Sequence, residues 1–198
     1  MDDFRQPHYQ LHWEWDLSHR LLLRNSLYHI HGEGFYENFK AGQDVGAYSL
    51  DLVPGYAYAD SMDADLIRRK WVRKEHTGWV PSLNWNQGRG RLLVGGDWYT
   101  FHSNHWGEVL WAGPDLGGDV ISPFDIPDGL KYHDYTGDKD AFSLYANQRY
   151  RIVGGLTATL DLHFQHKEYS FLQKEVGNFT GDLRNGYTVE YDFFNPKG

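Results

Sequence analysis

The sequence predicts an all-β fold, in which an antiparallel meander of about seven strands forms part of a transmembrane β-barrel. Residues 156–165 alternate apolar and polar side chains without exception, which is the period of a strand with one apolar and one polar face. Short connections between such stretches alternate strictly with long ones, as they do between the turns and loops of membrane barrels. No apolar run reaches the roughly 18 residues of a transmembrane helix, so strands are the only predicted spans.

The strand pattern extends along the whole chain. Strands are predicted at 7–17, 20–37, 64–86, 91–106, 140–152, 156–172 and 185–194. Short connections are predicted at 18–20, 87–90 and 153–155, and long connections at 38–63, 107–139 and 173–184. The stretches at 20–37 and 64–86 are about twice as long as the roughly 9–11 residues that cross a bilayer, so they are expected to project beyond it. Residues 61–75 also fit an alternative interpretation, a capped helix with Leu66, Ile67 and Trp71 on one side.

Alternation also predicts which side chains face lipid. The predicted outward residues are Tyr9, Leu11, Trp13, Trp15, Leu17, Leu92, Val94, Trp98, Phe142, Leu144, Ala146, Tyr150, Leu156, Ala158, Leu160, Leu162, Phe164, Tyr187, Val189, Tyr191 and Phe193. Their polar neighbours, such as Asp161, His163 and Gln165, are predicted to face a lumen. Residues 21–23 are three leucines, so they show no alternation of apolar and polar side chains. The faces of the second strand therefore stay unassigned.

Composition excludes several kinds of chemistry. The chain has no Cys, which rules out disulfides, thiolate nucleophiles and Cys-ligated zinc. Its net charge of −8 disfavours general nucleic-acid binding. The 8 Trp and 14 Tyr suit a membrane interface, because each ring carries a polar group. Residues 1–5 lack a basic segment followed by an apolar one, so no signal peptide is predicted.

No catalytic site, metal site or cofactor is predicted. His29 and His31 share one face of a strand, but no recognisable ligand set surrounds them. The basic run at 68–74 could bind lipopolysaccharide phosphates or an anionic ligand, or form a solvated face. The acidic stretch at 107–140 could bind divalent cations or remain hydrated.

Three segments resemble TonB-dependent receptors. Residues 21–37 (LLLRNSLYHIHGEGFYE) resemble an aromatic-rich barrel strand ending in a Gly-Asp/Glu-Gly-Tyr-Tyr-Glu-like segment. Residues 104–109 (NHWGEV), after the strand at 92–97, resemble a loop entry, and 191–198 (YDFFNPKG) resemble a Phe-Phe-Asn-Pro turn between strands.

The resemblance implies an outer-membrane barrel of about 22 strands with an internal plug. Such a receptor imports iron–siderophore or similar complexes with energy from the TonB complex. It contacts outer-membrane lipid and lipopolysaccharide of a Gram-negative bacterium, and it is not an enzyme. Residues 1–198 are then expected to form an internal part of the barrel, without a plug domain or signal peptide. Transport is expected of the full-length receptor and not of this chain alone.

Ligand binding is predicted for aromatic residues of the long connection: Trp106, Trp111, Tyr132 and Tyr135. In a receptor these rings would stack on the flat groups of a siderophore. Two alternatives stay open at this point. A secreted carbohydrate-binding β-sandwich would use the same four rings to stack on sugars, and a surface glycosidase would use a carboxylate pair.

Overall fold

The structure is a computed structural model, which describes residues 1–50, 63–114, 124–126, 130–176 and 185–197. The strands are β1 (Asp2–Arg5), β2 (His8–Ser18), β3 (Leu21–Asp44), β4 (Asp63–Asn86), β5 (Gly90–Pro114), β6 (Phe124–Asp125), β7 (Lys131–Val153), β8 (Leu156–Val176) and β9 (Gly186–Lys197). A single 3₁₀ turn covers Gly46–Tyr48. All nine strands join one open antiparallel sheet in the order β1-β3-β4-β5-β7-β8-β9, with β2 also paired to β3 and β6 to β5. The predicted all-β antiparallel meander is confirmed.

The three predicted short turns lie at one end of the sheet, which is called here the turn end. They join β2 to β3, β4 to β5 and β7 to β8. Gly88 and Gly154 have φ angles of 81° and 55°, in the left-handed region where a Cβ is unfavourable. Glycine at these two positions therefore lets long strands reverse within very few residues. The opposite end of the sheet is called here the loop end.

The predicted long connections are wrong in extent, because the strands continue into them. β3 runs to Asp44, β5 to Pro114 and β8 to Val176, while β7 begins at Lys131. The helix proposed for 61–75 is also wrong, since its described residues belong to β4. At the loop end both faces of the sheet carry polar side chains, so apolar alternation fades while backbone pairing continues.

The register divides the side chains between two faces, because directly opposed residues in antiparallel strands point the same way. One row across the sheet contains Leu23, Leu83, Val94, Ala146 and Leu162. The face that carries this row is called the Leu160 face, and the opposite one the His163 face. The facing predicted for 9–16, 92–98, 142–150 and 156–165 agrees with this division. In β3, Leu21 and Leu23 lie on the Leu160 face and Leu22 on the His163 face.

The facing predicted for the last strand is wrong. Phe194 opposes Phe164 on the Leu160 face, whereas Phe193 opposes Gln165 on the His163 face. The predicted outward set of Tyr187, Val189, Tyr191 and Phe193 therefore lies on the His163 face. Adjacent apolar residues at 193 and 194 fit either register, so the pairing with β8 decides the facing.

A small hydrophobic core covers the loop end of the His163 face. It consists of Val45, Tyr48, Leu50, Ala64, Leu66, Val109, Ala112, Ile126 and Tyr132. The segment after β3 contacts β7 through its 3₁₀ turn and supplies three of these side chains, Val45, Tyr48 and Leu50. Elsewhere in the described residues the sheet is a single layer, and no second sheet packs against either face. The two-sheet architecture of the sandwich alternative is therefore not found in the described part of the chain.

Candidate functional site: an apolar band and a basic groove

The turn-end half of the Leu160 face is an exposed apolar band. It continues across β2, β3, β4, β5, β7 and β8 through the rows of opposed residues described above. Leu144, Leu160 and Trp98 in this band keep 59%, 49% and 50% of their surface exposed. The band is thus a largely apolar surface, interrupted by Gln148 between Leu92 and Leu160. Apolar residues scattered singly over a surface would need no explanation, but a band does.

Aromatic side chains mark both edges of the band. Trp15, Trp85 and Tyr150 lie near the turn end, and one row further up the strands contains Trp79, Trp98 and Phe142. The band occupies about nine residues of each strand, which is roughly 30 Å along the strand axis. In membrane barrels the strands tilt by about 35–45°, and at that tilt a stretch of this length would span somewhat over 20 Å.

One buried polar side chain lies within the band. Asn25 is only 6% exposed and shares the Leu160 face with Trp13 and Pro81. Its Oδ1 accepts a hydrogen bond from Trp79 Nε1 at 3.1 Å. The polar side-chain oxygen is therefore satisfied without water, as an apolar environment requires.

At the loop end the Leu160 face becomes acidic and rich in ion pairs. Arg73 bonds Glu33 at 3.0 Å and Arg69 bonds Glu37 at 2.7 Å, each across β3 and β4. The Arg73 guanidinium lowers the pKa of Glu33, mainly through its hydrogen bonds to that carboxylate. Further acids that share this face are Asp3, Glu75, Glu108, Asp134, Asp138, Asp140, Glu168, Glu190 and Asp192. The arginines here already have carboxylate partners.

The His163 face carries the opposite charge at the same level. Its basic residues are Lys40, Arg68, Lys70, Lys74, Lys139 and Lys167. The register places two acids of this face near them: Asp2 of β1, in the row of Lys70, and Asp97 of β5, two residues along the strand from the row of Lys167. In the described part of the chain none of these six bases forms an ion pair with a carboxylate. The ammonium groups of Lys74, Lys139 and Lys167 lie instead 5.2, 5.3 and 5.8 Å from the ring centres of Phe4, Tyr99 and Phe193.

A groove of about 970 Å³ lies on this basic stretch of the His163 face. Its lining includes Phe4, Lys70, His105, His133, Tyr135 and Gln173. Two stacked rings lie on the floor, His105 and Tyr135 at 4.8 Å. Outside the groove the row of rings continues to β9, where Tyr135 contacts Phe171 at 5.5 Å and Phe171 stacks on Tyr187 at 5.6 Å.

The groove histidines are neutral at neutral pH. Burial, and then the nearby Lys70 ammonium, lower the pKa of His133 to about 4. Burial also lowers the pKa of His105. The positive charge at the groove therefore comes from Lys70, which lines it, and from Lys74 and Arg68, which act on the groove histidines from nearby. The imidazoles add neutral hydrogen-bonding groups.

The four aromatic residues predicted to bind ligand lie in strands and do not form one cluster. Trp106 and Trp111 of β5 are on the Leu160 face. There Trp106 stacks on Trp71 at 5.5 Å, and the indole N–H groups of Trp71 and Trp106 both donate to the Glu108 carboxylate. Tyr132 is in the small core, 4.6 Å from Tyr48. Only Tyr135 lines the groove.

His105 and His133 were not predicted as site residues from the sequence, and Lys70 was predicted only as one member of a basic run. Lys70 belongs to the basic run at 68–74, which the structure splits: Arg68, Lys70 and Lys74 lie on the His163 face, and Arg69 and Arg73 on the Leu160 face. Strand periodicity applied to this run would have separated the two sets. His105 and His133 come from different strands, and nothing local in the sequence links them.

Within the described residues, no cluster of three or more His, Asp or Glu side chains is placed to hold a metal ion. The described part of the chain contains no helix with the length and apolar character needed to cross a bilayer. Comparison with family models finds no match, and neither does comparison with curated proteins.

Proposed function

We propose that this chain forms part of the wall of an outer-membrane β-barrel, in a TonB-dependent receptor that imports iron–siderophore or similar complexes. The observation that carries the barrel proposal is the exposed apolar band with aromatic edges on one face of a single-layer sheet. In water such a band would leave a large apolar area exposed. Each Å² left exposed forgoes about 25 cal/mol of the free energy that burial would give. Lipid chains would cover the band, and the polar His163 face would line an aqueous lumen.

The strand edges are consistent with a larger barrel. In the described residues β9 pairs with β8 on one side, and β1 and β2 pair with β3 on one side. Unpaired backbone groups are costly in hydrocarbon, so further strands would have to close the wall. Import of a metal chelate is supported by the resemblance of residues 21–37, 104–109 and 191–198 to the receptor family.

The membrane position is tested with single cysteines, since the chain has none of its own. Leu160→Cys and Leu144→Cys carry a fluorescent label on the Leu160 face, and Thr159→Cys and Tyr145→Cys carry it on the His163 face. The chain is refolded into phospholipid vesicles that contain a brominated acyl chain as quencher. Quenching is expected at 160 and 144 and not at 159 and 145. Equal quenching at both faces would contradict the proposal.

The import assignment is tested in the bacterium that encodes the chain. The coding segment for residues 1–198 is deleted, and uptake of radioactive iron is measured from catecholate, hydroxamate and carboxylate chelates. Uptake of at least one chelate is expected to fall and to return on complementation. Unchanged uptake of all three classes would remove iron chelates from the proposal without affecting the membrane test.

A further inference from the structure

We infer that the groove on the His163 face is an anion-binding site, which takes a small molecule carrying several negative charges on a planar ring. As a statement about a transported ligand this inference rests on the proposed function, whereas anion binding by the groove does not require a membrane. The carrying observation is the separation of charge between the two faces at the loop end.

The separation is sharpest along β4, where consecutive side chains alternate between the faces. Arg69 and Arg73 point to the Leu160 face and are neutralised by Glu37 and Glu33. Lys70 and Lys74 point to the His163 face and have no carboxylate partner within the described residues. The two arginines are therefore already neutralised by carboxylates, whereas the two lysines next to them are available to a ligand.

The same difference extends across the sheet. Lys139 of β7 and Lys167 of β8 add positive charge on the His163 face, while Asp138, Asp140 and Glu168 beside them point the other way. These two lysines lie along the strands from the groove and do not line it, whereas Lys70 lines it and Lys74 acts on His105 from beside it. Positive groups on one wall attract anions. Asp2 is the acid that lines the groove, and it lies at its exposed margin on β1.

The shape and lining of the groove favour a ring-bearing ligand. A volume of about 970 Å³ is within the usual range of small-molecule sites. Tyr135 and His105 provide flat stacked rings on the floor, and Phe4 covers one margin. The neutral imidazoles of His105 and His133 can donate hydrogen bonds to anionic oxygens without a competing change of charge.

The test uses two probes that share one ring and differ in charge. Benzene-1,3,5-tricarboxylate is an anion at pH 7, and 1,3,5-tris(aminomethyl)benzene is a cation of the same shape. Binding to the full chain, refolded in zwitterionic detergent, is measured by isothermal titration calorimetry at two salt concentrations. The anion is expected to bind at least about tenfold more tightly than the cation, with an affinity that falls as salt rises.

The matched variants exploit the alternation along β4. Lys70→Gln with Lys74→Gln removes two charges from the His163 face, and Arg69→Gln with Arg73→Gln removes two from the Leu160 face. The lysine variant is expected to weaken tricarboxylate binding about tenfold or more, and the arginine variant to change it less than about twofold. Circular dichroism and resistance to protease confirm that both variants fold.

Three outcomes would overturn the inference: no binding of the tricarboxylate, equal binding of both probes, or equal loss in the two variants. Each of these three outcomes can occur while brominated lipid still quenches the label at residue 160. In that case the anion-binding inference is contradicted and the membrane proposal is not. Tricarboxylate binding without lipid quenching would instead support the groove and contradict the membrane proposal.

Discussion

The turn-end and loop-end halves of the sheet use the same strand periodicity for different purposes. In the turn-end half the two faces differ in polarity, with leucines and tryptophans on one side and groups such as Asp161 and His163 on the other. In the loop-end half both faces are polar, and they differ in the sign of their charge. The difference indicates that the turn-end half is suited to two different media, whereas water can contact both faces of the loop-end half.

The largest expected effect tests the contrast in the turn-end half. In a full barrel in lipid vesicles, Leu160→Arg is expected to destabilise the fold by about 2–4 kcal/mol, because it places a charge in the middle of the apolar band. Thr159→Arg, one residue away on the His163 face, is expected to be mild. Denaturant titration of both variants in the same vesicles measures the difference. Equal losses would mean that the two faces meet the same medium.

A smaller effect is expected from the polar group inside the band. Trp79→Phe removes the donor to Asn25 Oδ1, which leaves a buried acceptor unpaired at a cost of about 1–3 kcal/mol. Trp98→Phe is the matched control, since Trp98 opposes Trp79 on the same row and no hydrogen bond of its ring is found among the described residues. Denaturant titration in lipid should show a clearly larger loss for the Trp79 variant. A similar loss in both would assign the effect to ring size alone.

The smallest effect concerns pH and the loop-end half. Because the pKa of His133 is lowered to about 4, the unfolded chain binds a proton below about pH 6.5 that the folded chain does not bind. Stability is therefore expected to fall as pH decreases from about 6.5 to about 4. His133→Gln should make this decline shallower, although His105 and His76, whose pKa values are also lowered, keep part of it. Identical slopes for the variant and the original chain would contradict the burial of a neutral His133.

Much of the fold could be predicted because the strongest sequence signals are local. Alternation at 156–165 and glycines at 88 and 154 determine a strand and two turns from adjacent residues. The ends of β5 and β7 could not be predicted in this way, since their pairing depends on strands far along the chain. The same reason explains the wrong facing of β9, where Phe193 and Phe194 fit both registers until β8 selects one.

The candidate site was less predictable than the fold. Its basic residues were visible as the run at 68–74, but the run was interpreted as one patch rather than two faces. Trp106 and Trp111 drew attention as large aromatic residues, yet they lie on the face opposite the groove. His105 and His133 approach each other only because β5 and β7 pair in one register.

The position of the three tight turns has a consequence for how the sheet assembles over time. In the hairpins β2–β3, β4–β5 and β7–β8 the first paired residues are nearly adjacent in the chain, so closure of each costs little loop entropy. The ladder between β3 and β4 also joins Leu21 to Trp85, which requires a much larger loop to be ordered. Each hairpin should therefore zip from its turn as an early unit, and lateral docking of complete hairpins should be the slow step.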